Sequence, residues 1–589
     1  MWSKAQLLEA LVQPRPCRFN PPGVGLSQGP WAEQQQEALR RQGKEWLTQP
    51  IPELSYWLFA EYWRSGDRIE FEEAYFARRG RLLTYALLCR LEPDPHWLPA
   101  LQNILWAICA EPFWCLPAHF LDENDQPLPF DRWETHLDLF ACETAFALAE
   151  TLALCGDLLE ETVRQQVETQ IHRRVLDPFC RPDRVHRFEA MHNNWCAVCA
   201  GAIGGTAIHL VSDPGLLAEI LSRCLSTMQT YLDSFGEDGV CTEGVGYWTY
   251  GFGFFTCFAD LLLQRTGGAC DLFALPKVKA IALCQQHYFL SEGCTVSFAD
   301  GSMAGGYRMG LSCYLQQVYP DCAIPDAAYA DDILTDNCYR FCLGLRDLAW
   351  YRPDARFGLP PRRSVWLPDA QWLISTSPAL CLAAKAGSNG ESHNHNDCGS
   401  FLVCREGEQL LCDFGAVLYD ADSFGPRRYE RFAHATRGHN VALPAGQEQA
   451  AGPEYRTQDV QAECGQSDRL SMELAGCYNC PTLPSYRRSI CHHAEDGRIT
   501  VEDTLEFSQP ESCREVFVSS QPIRLEQGRA IFSSSRAQAE LVFPAGLTPR
   551  LLTEHYADHK TGQPTAAYVL HLDAQPALRH AFSLVIRGI

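Results

Sequence analysis

The stretch Glu391-Ser392-His393-Asn394-His395-Asn396-Asp397 sets two histidines and a carboxylate at alternate positions, and the rest of the chain is read outward from it. In an extended strand alternate residues share a face, so His393, His395 and Asp397 are expected on one side. An apolar hairpin follows: Phe401-Leu402-Val403-Cys404, a turn at Glu406-Gly407, then Gln409-Leu410-Leu411-Cys412 running into Asp413-Phe414-Gly415. The hairpin returns Asp413 towards the histidines, and a later Arg-rich segment ends on Arg437-Gly438-His439-Asn440. Two imidazoles and a carboxylate from three backbone segments suit a divalent metal. Zinc is expected before calcium, which prefers oxygen ligands.

On either side of this stretch the chain has two textures. Beyond it lie short β-rich runs: Ile499-Thr500-Val501, Val516-Phe517-Val518, Tyr568-Val569-Leu570 and Phe582 to Ile586, with Trp372-Leu373-Ile374 before it. Turn residues separate them, as in an antiparallel sandwich. From Ala5 to about Leu345 the periodicity is helical. Asp213 is a good N-cap with Pro214 at the first helical position, and apolar residues recur at helical spacing as far as Met228. Gly244 to Leu263 is apolar nearly all round, which marks a buried helix. An amphipathic helix followed by a buried one fits the outer and inner rings of an (α/α) toroid. Pro353, Pro360, Pro361 and Pro368 make a stiff crossing. The expected organisation is therefore α+β and multidomain: toroid at 1–350, linker at 351–368, antiparallel β-sandwich at 369–589.

Composition bounds the function. The net charge of −23 argues against a nucleic-acid or anionic-membrane binder. The longest uncharged run, Ala190 to Ser212, holds His192, Asn193 and Asn194 and is too polar to span a bilayer. The 28 cysteines sit mainly in apolar runs, as buried thiols in a reducing compartment would, and no secretory pattern opens the chain, so a cytoplasmic location is expected. Positive charge is gathered in Arg173, Arg174, Arg181, Arg184 and Arg187, and again in Arg427, Arg428, Arg431 and Arg437.

The pattern His393-x-His395-x-Asp397, apolar hairpin, Cys412-Asp413-Phe414-Gly415 and Arg437-Gly438-His439-Asn440 resembles the C-terminal half of the heparinase II/III-like polysaccharide lyases. The resemblance implies cleavage of uronate-containing polysaccharides by β-elimination. It makes His393 a catalytic histidine and His395, Asp413 and His439 the ligands of a structural zinc. In the helical half, His192-Asn193-Asn194-Trp195 and Glu243-Gly244-Val245-Gly246-Tyr247-Trp248-Thr249-Tyr250 are similar to that family's toroid motifs, where an Asn or His meets the substrate carboxylate and a Tyr acts on the sugar. Trp114 to His119 resembles a cleft segment. Tyr247 and Tyr250 share a helix face, so spacing does not separate them. Tyr247 is preferred, and Asn194 is preferred over Asn193 for its place before Trp195, with His192 a third candidate. Substrate contacts are expected from Trp114, His119, Trp195, Glu243, Trp248, Tyr429, Arg431 and His434.

Elimination removes the C5 proton of a uronate, and an amide donor stabilises the enolate-like charge that grows there. A phenol is a poor base unless a neighbour alters it, and an imidazole opposite is such a neighbour. The expected partner is an acidic oligo- or polysaccharide, glycosaminoglycan-like before alginate-like. Two rivals stand: a toroid glycoside hydrolase pairing Glu243 with Glu111 or Asp138, and a non-catalytic glycan-binding protein.

Overall fold

The computed structural model describes every residue except 1, 14, 20–28, 123–125, 419–424, 426 and 560. Helices fill the chain from Lys4 to Ala349. The Asp213 carboxylate accepts the Leu216 N–H at 2.7 Å and opens the helix Pro214–Asp233, as its sequence predicts. The next long helix, Val245–Arg265, is buried along most of its length. Helix Asn194–Leu210 is more buried still and packs against Leu139–Cys155, Pro214–Asp233 and Val245–Arg265. Small residues make this possible: Cys196 to Gly205 contains nothing larger than Ile203. Helical hairpins thus close a toroid around an inner layer apolar on all sides. No helix among the described residues is long and apolar enough to cross a membrane.

Beyond Ala349 the chain turns to antiparallel sheet. Five strands, Arg363–Leu367, Trp372–Thr376, Cys381–Lys385, Phe401–Arg405 and Glu408–Leu411, form a meander in sequence order. This small sheet is the middle layer of the molecule. Trp372, Ile374, Ala383, Leu402 and Cys404 join the toroid core, whereas Leu373, Leu382, Ala384, Phe401 and Val403 join the sandwich core. Burial on both faces explains why these strands read as continuous apolar runs. A ten-stranded sheet covers the second face.

Two expectations change. The segment 351–368 was to be a linker, but Arg363–Leu367 is a strand paired with Trp372–Thr376. Pro368 belongs to the hairpin turn, where Gln371 takes φ 55°, and not to a crossing. The Arg363 guanidinium donates to the carbonyls of Gln286, Phe289 and Leu290, fastening this first strand to the toroid. The runs at Ile499 and Val516 are also one strand, Arg498–Ser519, and those at Tyr568 and Phe582 are another, Pro564–Gly588. These two pair from Arg498↔Arg587 to Ser519↔Tyr568, and register shifts between Glu506 and Cys513 absorb the polar, Pro-containing stretch that looked like a turn.

Candidate active site

Between toroid and sandwich lies a cavity of about 490 Å³, lined by His192, Asn194, Glu243 and Tyr247 from one side and Asp369 and Glu391 from the other. Two reciprocal carboxylates set its width. Asp238 Oδ2 accepts the N–H groups of Asp369 and Ala370 at 2.8 and 3.0 Å, and Asp369 Oδ2 accepts those of Glu237 and Asp238 at 2.5 and 3.3 Å. Only a glycine fits beside this clasp, because a Cβ on Gly236 would meet Asp369 Cβ at 2.4 Å. Asp369→Ala is expected to cost about 2 kcal/mol, since its hydrogen bonds are charge-assisted. Substrate KM should rise more than kcat falls, as the two walls lose their spacing. Melting and steady-state kinetics together test this, and an unchanged KM would count against it.

The two adjacent asparagines separate by local geometry. Asn193 caps the helix Asn194–Leu210, its Oδ1 accepting the Trp195 N–H at 3.1 Å. Asn194 is buried on the cavity wall and makes no side-chain hydrogen bond among the described residues. The tyrosines separate likewise. Tyr250 donates its hydroxyl to Glu143, with the Arg340 guanidinium 3.9 Å above its ring. Burial pushes the Glu143 carboxyl up to about 7, although Arg340 and the Tyr250 hydrogen bond pull the other way. Tyr247 is half-buried on the cavity wall, its ring centroid 4.9 Å from that of His393.

His393 is not in a strand. It sits in a loop with φ 56°, so strict alternation does not govern this stretch. Its Nδ1 is hydrogen-bonded to the carboxylate of Asp300, next to Ala299 at φ 54°. Left-handed backbone at two non-glycine residues costs about 1–3 kcal/mol each and is the kind of strain that functional sites hold. Arg428 donates to the carbonyls of His393 and Asn394 at 2.8 and 3.2 Å and lies 3.3 Å from Asp300, and Tyr429 donates to Asn394 Oδ1 at 2.7 Å. The bond from Nδ1 to Asp300 fixes the orientation of the ring. Burial raises the Asp300 carboxyl, but the hydrogen bond from His393 and the nearby His395 imidazole outweigh it and hold the group well below the carboxylate range.

Behind His393 the chain gathers His395, Asp397, Asp413 and His439, with one ligand atom of each within 4.8 Å of the others and all buried. The loops meet because Asn440 donates to the carbonyls of Phe401 and Cys412 at 2.7 and 3.1 Å and accepts from Val518 at 2.8 Å, tying small sheet to large. Gly415 at φ 63° lets the chain turn after Asp413, against the Gly301 carbonyl. Neither ring nitrogen of His395 or His439, nor Asp413 Oδ2, has a well-formed hydrogen bond. Each such orphan costs about 1–3 kcal/mol, so five together fit a cation-binding cage. Burial would lower His395, but Asp300 and Asp413 push it up to about 9; the two carboxylates demand positive charge here. Asp397 is partly engaged, by Lys385 Nζ at 2.7 Å.

Several expected substrate contacts lie elsewhere. Trp114 and Trp248 are core side chains whose indoles donate to the Ile108 and Ile281 carbonyls at 3.1 and 2.8 Å. Their aromatic motifs resembled cleft residues because large apolar rings serve cores equally well. His434 is also buried, 4.8 Å from the His395 ring, and burial pushes its imidazole down. Arg431 donates to the Leu418 carbonyl at 3.2 Å. His119, bonded to Asp138 at 2.8 Å, and Trp195, 5.0 Å from it, are partly exposed together. Both partners offered to Glu243 in the hydrolase reading are spent: Glu111 on Arg78 and Arg79, Asp138 on His119 and the Ala141 N–H. Arg173, Arg174 and Arg184 reach Glu134, Gln170 and Thr135. Asp300 and Lys385 escaped sequence reasoning, because a single acid or lysine among apolar residues carries no spacing signal.

Residues 359–572 match the family described as heparinase II/III-like, C-terminal. No curated protein sequence matches the chain. Among solved structures, heparinase III is 13% identical with a TM-score of 0.66 over 100% of this chain and 89% of that one. A heparan sulfate lyase mutant from Pedobacter heparinus is 14% identical with a TM-score of 0.62, covering 99% and 87%. The chondroitin AC lyase of Streptomyces coelicolor A3, solved with chondroitin sulphate, is 12% identical with a TM-score of 0.52, covering 99% and 82%. Residues 359–572 are thus similar to the C-terminal part of the heparinase II/III-like family, and the chain as a whole shares the toroid-and-sandwich fold of the heparinase III structure.

Proposed function

We propose that this protein is a polysaccharide lyase that cleaves uronate-containing, glycosaminoglycan-like chains by β-elimination. The observation that carries the proposal is the Tyr247–His393 pair, drawn from the two halves of the chain, with ring centroids 4.9 Å apart and Tyr247 on the cavity wall. The matched family and the heparinase and chondroitin lyase structures support the same reading. In the reaction the C5 proton leaves, the C4–O4 bond breaks, a C4–C5 double bond forms and O4 gains a proton. Tyr247 and His393 supply the two proton transfers, the imidazole being the neighbour that lets a phenol act as base. Asp300 is a positioning residue that orients His393. The unpartnered amide of Asn194 faces the substrate carboxylate. His395, Asp413 and His439, with Asp397, would hold a zinc ion, whose charge would satisfy the buried carboxylates and hold the His393 loop. The 28 unpaired thiols fit a reducing compartment.

Ultraviolet absorbance tests the proposal, because elimination creates a conjugated unsaturated uronate and hydrolysis or binding does not. Heparan, chondroitin, hyaluronan and alginate oligosaccharides form the panel; binding without any rise in absorbance would refute lyase activity. Asn194→Ala is expected to lower kcat about 100-fold with little change in KM, since one oxyanion donor is worth about 3 kcal/mol. A change confined to KM would remove Asn194 from the chemical step.

A further inference from the structure

We infer that the cleft beside the Tyr247–His393 pair selects a hexosamine carrying a free ammonium group, with Glu243 as the residue that recognises it. This deepens the lyase reading and rests on it. Glu243 lines the cavity at 6% exposure, yet its carboxylate makes no hydrogen bond or ion pair among the described residues. A carboxylate so placed has no protein donor and is open to the cavity, where a cationic donor satisfies it best. Its surroundings reinforce that preference. Asp233, Asp238, Asp369 and Glu391 line the same cavity, and no Arg or Lys does among the described residues.

Internal bonds do not remove this negative charge. Asp238 and Asp369 bind only backbone N–H groups, and Asp233 accepts from the neutral amide of Gln229 at 2.8 Å. Glu391 has a cation no nearer than 4.0 Å, Lys385 Nζ, which already binds Asp397. A sulfate in this part of the cleft would face uncompensated repulsion, and an N-acetyl group would offer Glu243 only a neutral N–H in place of a cation. The uronate itself lies against Asn194 and His192, which offer donors on the toroid side of the same cavity. A uronate linked to an N-unsubstituted hexosamine satisfies the amide and the carboxylate at once.

The test compares one uronate–hexosamine backbone in three forms, N-unsubstituted, N-acetylated and N-sulfated, with wild type and Glu243→Gln. Wild type is expected to show kcat/KM roughly tenfold or more higher for the free amine than for the N-acetyl form, with the N-sulfated form poorest, and Glu243→Gln should erase the ranking. Equal or better turnover of the N-sulfated form would overturn the inference while leaving the lyase reading intact. Binding of fully deacetylated glucosamine oligomers, followed by calorimetry, gives a readout independent of turnover. If no substrate yields an unsaturated product, the lyase reading falls; binding that weakens in Glu243→Gln would still support recognition of the amine, and binding indifferent to that change would end it. Neutralising a carboxylate that has no protein partner should not lower the melting temperature, so wild-type and variant data compare like with like.

Discussion

Tyr247→Phe and His393→Ala are each expected to lower the rate of uronate elimination about a thousandfold while melting stays near that of the parent protein. The magnitude follows from losing one of two positioned proton-transfer groups in a site where the other cannot replace it. The fold should survive because Tyr247 is only half-buried and His393 lies in a loop. Tyr250→Phe provides the contrast. That hydroxyl is committed to Glu143, and removing it leaves a buried carboxyl short of a donor beneath Arg340. It should therefore lower stability by about 1–3 kcal/mol and leave activity within about tenfold of normal. Kinetics and melting on the three variants decide the matter: an active Tyr247→Phe beside an inactive Tyr250→Phe would reverse the assignment, and two active tyrosine variants would end the mechanism.

The second large effect is expected at the buried cluster. Asp413→Ala removes the carboxylate that lies 3.1 Å from His439 and 3.6 Å from His395. Purified wild-type protein should carry close to one zinc, and the variant should carry little. Breaking a buried charge cluster costs about 3–5 kcal/mol, which for a β-sandwich of this size is roughly a 10 °C fall in melting temperature. Activity should fall in proportion to the metal lost, because His395 shares Asp300 with His393 and the two histidines are separated by one residue. Strong chelation of the wild type should reproduce both changes, and readdition of zinc should restore them. A metal-free protein that melts and turns over normally would refute the zinc site.

Interior patterning was enough to read the architecture. Helical periodicity up to Leu345, the Asp213 cap, the all-apolar run from Gly244 and the Glu406-Gly407 hairpin are local, and local signals survive because each element must satisfy its own backbone and bury its own face. The grouping of His395, Asp413 and His439 was also readable, since the apolar hairpin returns Asp413 towards the histidines and the family resemblance adds His439. What only tertiary structure decided was which of two equivalent neighbours was committed to another part of the fold. Asn193 and Asn194 differ because one caps a helix, and Tyr247 and Tyr250 differ because Glu143, far away in sequence, claims one hydroxyl. Trp114, Trp248 and His434 looked like cleft residues, and the cores of other elements enclosed them. Asp300 was invisible because its partner lies 93 residues away, and the long strands Arg498–Ser519 and Pro564–Gly588 looked broken because their bulges follow from pairing with each other. Periodicity is a property of a segment, whereas the availability of a polar group depends on every segment folded against it.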